Sequence, residues 1–335
     1  MKKVTIQSIS EMANVSKSTV SRALNDTGYV QEDIKARILQ VADELGYARK
    51  TRIANVEAKR RITIAVVFPS FSDTFFGSII EGISSTADQE DSSILLYSTH
   101  DSVEREQRIL HKLRDMNISG LIFTPVAAYD GIEGWNRLQR EMNYLQVPIV
   151  LVDRSDKRSN CDSIVYDNFN GAYLLGERLA REGYTQIGAI VGDTCLQLGR
   201  DRLAGFQQAL NVNGLTASPD FFYTDERIIS TQMAYEFTME RIRAGKLPKA
   251  VFLSNSLVAN GFLKALFANE LKPGQDVRCV GFDYLDIQNV IDLQYTYLER
   301  ETFKTGQMAI QMILDHFKTK IVSRREFITP AQIAQ

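Results

Sequence analysis

The chain contains little of what marks a secreted, membrane-bound or metal-binding protein. Its 335 residues include only three cysteines and three histidines. The cysteines, Cys161, Cys195 and Cys279, are odd in number and far apart, which favours reduced packing residues in a cytosolic protein over a disulfide framework. Because the histidines have no metal-ligand spacing, we expect no metal site.

Long apolar runs and targeting signals are also missing. No apolar run approaches the length of about 18 residues that a membrane-spanning helix needs. The start MKKVTIQSIS has two lysines but no apolar segment after them, so it does not resemble a secretory signal. These absences predict a cytoplasmic protein that makes no membrane contact.

The short motifs of several large enzyme classes do not occur in this chain. It has no G-x-S-x-G, no G-x-x-x-x-G-K-[ST] and no dinucleotide-binding glycine fingerprint after a strand. Asp153 and Asp283 could form an acid and base pair of the kind that cleaves glycosides, but a binding cleft would explain both residues. We therefore expect neither enzymatic activity nor a cofactor.

Charge is distributed unevenly along the chain. Hydrophobic residues make up 44% and charged residues 24%, an ordinary globular composition, and the net charge is only −2. Residues 1–61 contain 12 Lys and Arg against 7 Asp and Glu, or +5, which leaves 27 against 34, or −7, for the remainder. A basic end on an acidic body is the pattern expected when one end binds nucleic acid.

The N-terminal stretch VTIQSISEMANVSKSTVSRALN predicts two short helices joined by a tight turn. Thr5 can cap a helix over residues 6–13, and Ser16 can cap a second over about 17–24, because each side-chain oxygen accepts from a free backbone amide. Asn14 lies between the helices and tolerates the left-handed backbone that such a turn needs.

A third helix is predicted next, and with the first two it makes a domain of the helix-turn-helix type. Its apolar positions recur at helical spacing, and Gly46 is placed to end it. Those positions are Ile34, Ile38, Val41, Ala42 and Leu45. Burial of the apolar faces would leave a polar reading face on the second helix, formed by Lys17, Ser18, Ser21 and Arg22.

The motifs T-I-x-x-I from Thr5, A-x-V-S-x-x-T-V-S-R-x-L-N from Ala13 and L-G-Y from Leu45 closely resemble the headpiece of the LacI/GalR family of bacterial transcriptional regulators. The resemblance covers essentially the whole chain, although Asn14 replaces a usual glycine. It implies that bases are read by Lys17, Ser18 and Arg22. It also implies positions near phosphates for Thr5, Ser16, Thr19, Ser21, Asn25 and Tyr29.

The basic, proline-free segment YARKTRIANVEAKRR at 47–61 predicts a linker that becomes ordered on DNA. The family resemblance implies that it forms a hinge helix with an apolar wedge for the minor groove, and Val56 occupies the place of that wedge. The predicted domains are therefore a DNA-binding domain at 1–46, a hinge at 47–61 and an effector-binding and dimerisation core at 62–335.

From Ile62 onward, short apolar runs alternate with helical periods, a pattern typical of α/β folds with parallel sheets. Candidate strands form a first series at 62–68, 94–98, 120–123 and 148–152, and a second series at 163–166, 187–191, 250–253 and 277–282. Two such series resemble the two-lobed periplasmic-binding-protein fold. The predicted N-lobe is about 62–160 plus 292–320, and the predicted C-lobe is about 161–291 plus 321–335.

Ligands of open α/β sheets bind beyond the carboxyl ends of the strands, so residues that follow strands are candidates for a cleft. Carboxylates, an amide and aromatic rings at these positions suit a polyhydroxylated ligand. The candidates are Phe75, Phe76, Asp153, Asn255 and Asp283. Each has another reading, because a strand-end aspartate can cap a helix and the two phenylalanines can belong to the core.

Arginines near the predicted cleft bear on the charge of the ligand. The resemblance places Arg202 at the family's effector-binding arginine. Arg200 and Arg300 add cations nearby, and Ser256 stands where the family usually has an aspartate. The effector is therefore expected to be a sugar or a sugar phosphate, with the phosphate favoured by the three arginines.

Taken together, these features predict a homodimeric regulator in the bacterial cytoplasm, associated with the nucleoid. The resemblance implies a repressor of a carbohydrate-utilisation operon that binds a pseudo-palindromic DNA operator and responds to a small-molecule effector between its lobes. Two alternatives stay open, a purine- or nucleoside-responsive regulator of the same family and a sugar-binding receptor without a regulatory role. A receptor would need a signal peptide and no headpiece, and this chain shows the reverse.

Overall fold

The computed structural model describes residues 5–25, 28–45, 62–126, 131–319 and 324–334. The chain divides between Arg61 and Ile62 into two units. Gly46 and Val56, and with them the whole predicted hinge, lie outside the described residues. Within the described ranges, no helix combines the length and the apolar character needed to cross a membrane.

The first unit, called the headpiece below, contains the three predicted helices. They are α1 (Ile6–Ala13), α2 (Lys17–Asn25) and α3 (Glu32–Glu44). The Thr5 side chain accepts a hydrogen bond from the Ser8 amide at 3.4 Å, and the Ser16 side chain accepts one from the Thr19 amide at 3.1 Å. Both predicted N-caps are therefore present at the starts of α1 and α2.

The turn between α1 and α2 depends on Asn14, whose φ of 50° and ψ of 49° are left-handed as predicted. This turn brings the apolar faces of the helices together into one small core. Its buried members are Ile9, Ala13, Val20, Ala23, Ile38, Val41 and Ala42. Because these positions face inward, the polar side chains of α2 lie on the opposite face.

The second unit alternates strands and helices. Its helices are α4 (Thr74–Gln89), α5 (Val103–Asp115), α6 (Gly131–Asn143), α7 (Asn168–Arg181), α8 (Gln197–Val212), α9 (Thr231–Arg243), α10 (Ser256–Ala268) and α11 (Thr302–Lys318). Its strands are β1 (Thr63–Phe68), β2 (Ser93–Ser98), β3 (Gly120–Phe123), β4 (Ile149–Val152), β5 (Asp162–Tyr166), β6 (Ile187–Val191), β7 (Phe222–Thr224), β8 (Ala250–Leu253), β9 (Arg278–Gly281), β10 (Tyr295–Glu299), β11 (Glu326–Thr329) and β12 (Gln332–Ile333).

These strands form two six-stranded sheets, which confirms the predicted α/β core. The first sheet has the order β11-β5-β4-β3-β1-β2 and the second the order β12-β10-β9-β8-β6-β7. All pairings are parallel except the antiparallel one between β10 and β12. Apolar clusters cover both faces of each sheet, as parallel sheets require. We call the first sheet with α4, α5, α6 and α11 the first lobe, and the second sheet with α7 to α10 the second lobe.

The division of the chain between the lobes differs from the predicted one. Strand β5, expected in the C-lobe, pairs with β4 of the first sheet, with Val152 opposite Ile164. Likewise, β11 belongs to the first sheet and β10 to the second, the reverse of the predicted assignment. A short apolar run predicts that a strand forms but not which strand it pairs with. The sequence pattern therefore could not determine which sheet contains each of β5, β10 and β11.

The chain therefore crosses between the lobes three times, each time several residues after the predicted point. It crosses at Asp167 between β5 and α7, at Arg300 between β10 and α11, and at Pro330 between β11 and β12. The carboxyl ends of the parallel strands of both sheets face the space between the lobes, which is where the predicted cleft residues lie.

Two glycines bring helices α4 and α11 into backbone contact within the first lobe. A Cβ atom at Gly82 would lie 2.0 Å from the Phe303 carbonyl oxygen, and one at Gly306 would lie 2.0 Å from the Ile79 carbonyl oxygen. No real side chain fits such distances, so glycine at both positions is a condition of this packing.

We expect Gly82→Ala to lower the free energy of unfolding of the core by about 1–3 kcal/mol, because the added methyl group forces the two helices apart. Gly77→Ala in the same helix is the matched control, since nothing lies within 4 Å of its Cβ position. That change should be neutral or stabilising by up to about 1 kcal/mol. Urea unfolding followed by fluorescence of Trp135, the one tryptophan of the chain, measures both. Equal effects of the two substitutions would contradict the packing described.

Candidate functional site

The predicted DNA-contacting side chains of the headpiece lie at its surface. Thr5, Ser16, Lys17, Ser18, Arg22 and Tyr29 are exposed, whereas Thr19 and Ser21 are half-buried. Tyr29 has 89% of its surface exposed, so its ring packs on almost nothing in the headpiece. Of Asn25 only the backbone is described, at the end of α2, and Val56 lies outside the described residues.

A cluster of hydroxyl groups surrounds the first turn of α2. The Ser16 Oγ atom lies 2.8 Å from both Ser18 Oγ and Thr19 Oγ1. Free amides and the helix dipole make a helix start favourable for an anion. The start of α2 therefore combines hydroxyl donors with a positive potential, the combination that a DNA phosphate requires.

Two cationic side chains extend from the same helix, and each is held by one hydrogen bond. Lys17 Nζ donates to Gln7 Oε1 of α1 at 2.9 Å, and Arg22 Nε donates to the Ser18 carbonyl oxygen at 3.3 Å. Both side chains remain exposed. They can therefore present donors to the acceptor groups on guanine, which both residue types recognise.

In the second unit, Arg202 of α8 lies between the strand ends of the second lobe and is only 4% exposed. Its Nε donates to Asn168 Oδ1 at 2.8 Å and its Nη1 to the Ser254 carbonyl oxygen at 2.7 Å. Its guanidinium carbon lies 4.1 Å from the ring centroid of Phe282. Burial lowers the pKa of Arg202, and the neutral acceptors and the ring fix its position.

Asn255 serves its own lobe in this structure. It caps α10 by accepting from the Val258 amide at 2.8 Å, and its Nδ2 donates to Asp193 Oδ2 at 2.9 Å. Asp193 also accepts from the Ile229 amide at 3.1 Å, and burial raises the pKa of Asp193. Both polar ends of Asn255 are therefore engaged within the second lobe, and a ligand would meet the amide only by sharing these bonds.

Asp153 is the unmatched acceptor of the cleft. It follows β4 with a left-handed φ of 66° and is 9% exposed. Its Oδ1 atom is buried and has no hydrogen-bond partner among the described residues. A buried carboxylate oxygen without a donor is costly, so this atom is where a donor from outside the chain would be most favourable.

Arg300, at the second crossing, contacts both lobes. Its Nη2 donates to Asp283 of the second lobe, and its guanidinium carbon lies 4.0 Å from the ring centroid of Phe75 and 5.1 Å from that of Tyr166, both in the first lobe. Burial lowers the pKa of Arg300 to about 10 and raises that of Tyr166 to about 12. Arg300 covers the Phe75 ring, the surface that was predicted to stack on a ligand.

Two further hydrogen bonds join the lobes beside Arg300. Ser256 Oγ lies 3.3 Å from Asp73 Oδ2, and Thr74 Oγ1 donates to Asp286 Oδ2 at 3.2 Å. Asp283 completes the junction, since its Oδ2 accepts from the Ser256 amide at 2.7 Å. The lobes are therefore bridged directly by polar side chains along this part of the cleft.

Cavities flank this junction on two sides. One of about 250 Å³ is lined by Phe75, Asp283 and Arg300, and another of about 440 Å³ by Asp153 and Tyr166, each with residues of both lobes. A larger cavity of about 590 Å³ lies at the opposite end of the first sheet and contains none of the predicted cleft residues. The two interlobe cavities therefore carry the candidate site.

Two residues behave differently from the prediction. Phe76 is buried in the first-lobe core, where its ring centroid lies 5.1 Å from that of Phe68. Arg200 turns back on its own loop and donates to the carbonyl oxygens of Thr194 at 2.9 Å and Cys195 at 2.6 Å. Of the three arginines that favoured a phosphate, Arg200 therefore has its donors engaged within its own loop.

Asp193 is a cleft residue that the sequence analysis missed. It lies two residues after the end of β6, and Asp153 lies one residue after the end of β4, so the same strand-end rule would have found it. Within the described residues, no group of three or more His, Cys, Asp or Glu side chains could hold a metal ion.

Comparisons with known proteins cover both units. Residues 5–50 match the family of bacterial regulatory proteins, lacI family, and residues 61–333 match the periplasmic binding proteins and sugar binding domain of the LacI family. The chain is 27% identical over 333 residues to the HTH-type transcriptional regulator RegA of Clostridium saccharobutylicum, covering 98% of this chain and 96% of that protein. It is 26% identical over 323 residues to the HTH-type transcriptional repressor PurR of Edwardsiella ictaluri, covering 96% and 92%.

A solved structure shows the same fold. The Lac repressor dimer bound to operator and the anti-inducer ONPF superposes with a TM-score of 0.68 at 24% sequence identity, covering 100% of this chain and 98% of that one. The match spans the helical headpiece and the two-lobed core.

We expect Arg300→Met to lower the free energy of unfolding of the core by about 3–5 kcal/mol, because it leaves the buried Asp283 carboxylate without its cation. Adding Asp283→Asn should restore much of that loss, since the pair is then removed as a whole. Lys246→Met, which removes a surface ion pair with Asp220, is the control and should change little. Urea unfolding followed by Trp135 fluorescence gives all three values. If the double variant were no more stable than Arg300→Met alone, the coupling would be disproved.

Proposed function

The chain belongs to the LacI family of bacterial regulatory proteins, and from this premise we propose that it represses transcription by binding a pseudo-palindromic operator as a homodimer. The observation that carries the proposal is the exposed polar face of α2 within a capped, packed helix-turn-helix headpiece. The two symmetric headpieces of a dimer would enter major grooves one helical turn apart. As a regulator of bacterial transcription it would act on the nucleoid, in the cytoplasm.

In this proposal the contacts divide between bases and phosphates. Lys17, Ser18 and Arg22 read base edges. The backbone contacts come from Thr5, Ser16, Thr19, Ser21, Asn25 and Tyr29, and they supply affinity that depends on salt. Val56, which lies outside the described residues, would provide the minor-groove wedge. The exposed hydroxyl cluster at the start of α2 supports the phosphate role.

We further infer that a small-molecule effector binds between the lobes and changes operator affinity by favouring one arrangement of them. The unmatched Asp153 oxygen supports this site, because a ligand hydroxyl would supply the missing donor. We propose a binding role and not a catalytic one, because both oxygens of Asp283 accept hydrogen bonds within the protein, from Arg300 and from the Ser256 amide.

The charges of the cleft favour a neutral sugar over a sugar phosphate. Three arginines, Arg154, Arg202 and Arg300, are accompanied by five carboxylates, which gives a formal charge of −2. The carboxylates are those of Asp73, Asp101, Asp153, Asp193 and Asp283. A phosphate would add negative charge where the cations already have acceptors. Hydroxyl groups, in contrast, can donate to Asp153 at no electrostatic cost.

A purine or nucleoside is the second candidate, and one observation favours it. The planar guanidinium of Arg300 lies against the rings of Phe75 and Tyr166. Displacement of Arg300 would open an aromatic surface on which a flat base could stack. The effector panel described below therefore includes nucleosides.

We expect Arg22→Ala to relax specificity at one base pair in each half-site, at a cost of roughly 1–3 kcal/mol, because a lost base contact affects only the base it reads. Arg37→Ala, an exposed arginine of α3, serves as the control and should leave the sequence preference unchanged. Gel-shift titrations against all single-base variants of a selected operator provide the measurement. A uniform loss across those variants would show instead that Arg22 contacts a phosphate.

Isothermal titration with neutral sugars, their phosphates and nucleosides tests the effector site. We expect a neutral sugar to bind at least about tenfold more tightly than its phosphate, a difference of about 1.4 kcal/mol. Arg202→Ala should abolish ligand binding and ligand response but not operator binding. Arg200→Ala is the control and should leave ligand binding and operator binding intact, because the Arg200 donors bond to its own loop. Tighter binding of a phosphate, or of a nucleoside, would replace the neutral sugar as the assigned ligand.

A further inference from the structure

Lys17 is tied to the neighbouring helix α1 by a chain of two hydrogen bonds. Its Nζ donates to Gln7 Oε1 at 2.9 Å, and Gln7 Nε2 donates to Glu11 Oε1 at 3.0 Å. Lys17 starts α2, whereas Gln7 and Glu11 lie one turn apart on α1. We call these three side chains the relay.

The chemistry of the three groups fixes the direction of the relay. An ammonium group only donates and a carboxylate only accepts, whereas an amide does both. Gln7 can satisfy both neighbours only with its oxygen toward Lys17 and its nitrogen toward Glu11. Glu11 therefore orients the amide, and the amide in turn holds Lys17.

The base of the relay is rigid, so it can set a position for Lys17. Ile9 and Ala13 anchor α1 in the headpiece core, and Thr5 caps the start of the helix. Val20 anchors α2 in the same core, and the left-handed Asn14 fixes the turn between the two helices. A lysine side chain alone has many rotamers, and holding it before DNA arrives reduces the entropy that binding costs.

The other proposed base-reading residues are held differently. Arg22 is held by the Ser18 carbonyl oxygen and Ser18 by the Ser16 hydroxyl, so their contacts come from α2 or its cap. Among the contacts described for these readers, that of Lys17 comes from the other helix of the pair. Gln7 thus determines the direction of Lys17 independently of α2.

We propose that Gln7 is a positioning residue for sequence recognition, which sets the base pair that Lys17 reads. This inference rests on the base-reading role proposed for Lys17. Gln7 acts through the lysine, and loss of its amide would leave Lys17 with its charge but without a fixed direction. Affinity from charge would persist, and discrimination at one base pair would fall.

The test uses the full-length protein and an operator selected from a random duplex library. Binding is measured for that operator and for every single-base-pair variant, at fixed salt. Lys17→Ala identifies the base pair that Lys17 reads. Gln7→Met, similar in size but without the amide, should lose roughly two- to tenfold discrimination at that same base pair, the effect expected for one hydrogen bond.

A composition-preserving rescue separates positioning from a general structural role. In the double variant Gln7→Glu with Glu11→Gln, the carboxylate at position 7 accepts from Lys17 and the amide at position 11 donates to that carboxylate. Discrimination at the base pair that Lys17 reads should return toward that of the parent protein, even if the affinity for all operator variants shifts by the same factor. Gln40→Met is the control, because Gln40 donates to Glu44 in the same spacing on α3 without a lysine, and its profile should not change.

Each other outcome overturns the inference in a distinguishable way. If Gln7→Met changed discrimination at a different base pair, Gln7 itself would contact DNA. If Gln7→Met changed discrimination at no base pair, the relay would have no role in base reading. Failure of the swapped pair to rescue would reduce Gln7 to a structural residue. A uniform loss with Lys17→Ala would remove the base-reading role on which the inference rests, while a parent protein that selects no operator would refute the proposed function itself.

Discussion

The buried contact of Arg300 with Asp283, Phe75 and Tyr166 is the interaction on which the geometry between the lobes depends. A guanidinium group taken out of water needs an acceptor and benefits from an aromatic face. Here the acceptor comes from the second lobe and the rings come from the first. Neither lobe alone provides both the acceptor and the aromatic rings for Arg300. A rearrangement of the lobes must therefore break these contacts or replace them.

Matching donors with acceptors also separates residues that hold the framework from residues that are directed at a ligand. Arg202 and Asn255 are satisfied inside the second lobe, and they shape the cleft whether or not it is occupied. Asp153 is buried too, but its Oδ1 atom has no hydrogen-bond partner among the described residues. The headpiece surface also contains both kinds of residue. The hydroxyl groups of Ser16 and Thr19 bond to one another at the start of α2, whereas Lys17 extends outward and bonds to Gln7 of α1.

Local chemistry made the headpiece predictable from sequence, because caps, turn residues and helical spacing act within a few positions of one another. Most of the strands were predictable for the same reason, but the short β7, β11 and β12 were not. The sheet that receives β5 depends on distant partners and was not predictable either. Within the cleft, the strand-end rule located Asp153 and should have located Asp193. It left open whether Phe76 belongs to the cleft or to the core, and it could not foresee that Arg200 turns back, because the atoms that hold these side chains are brought together only by folding.

The glycine contact between α4 and α11 has a mechanical consequence. Helix α4 begins beside Phe75 and α11 begins two residues after Arg300, so both helices start at the junction of the lobes. Because their backbones touch at Gly82 and Gly306, we expect the two helices to move together as one body within the first lobe. At the far end of α4 the chain turns into β2, whose first amide bonds to the carbonyl oxygen of Ile62, the residue at which the core begins. A displacement of α4 at the cleft would therefore also move the strand that bonds to Ile62, where the chain enters the core.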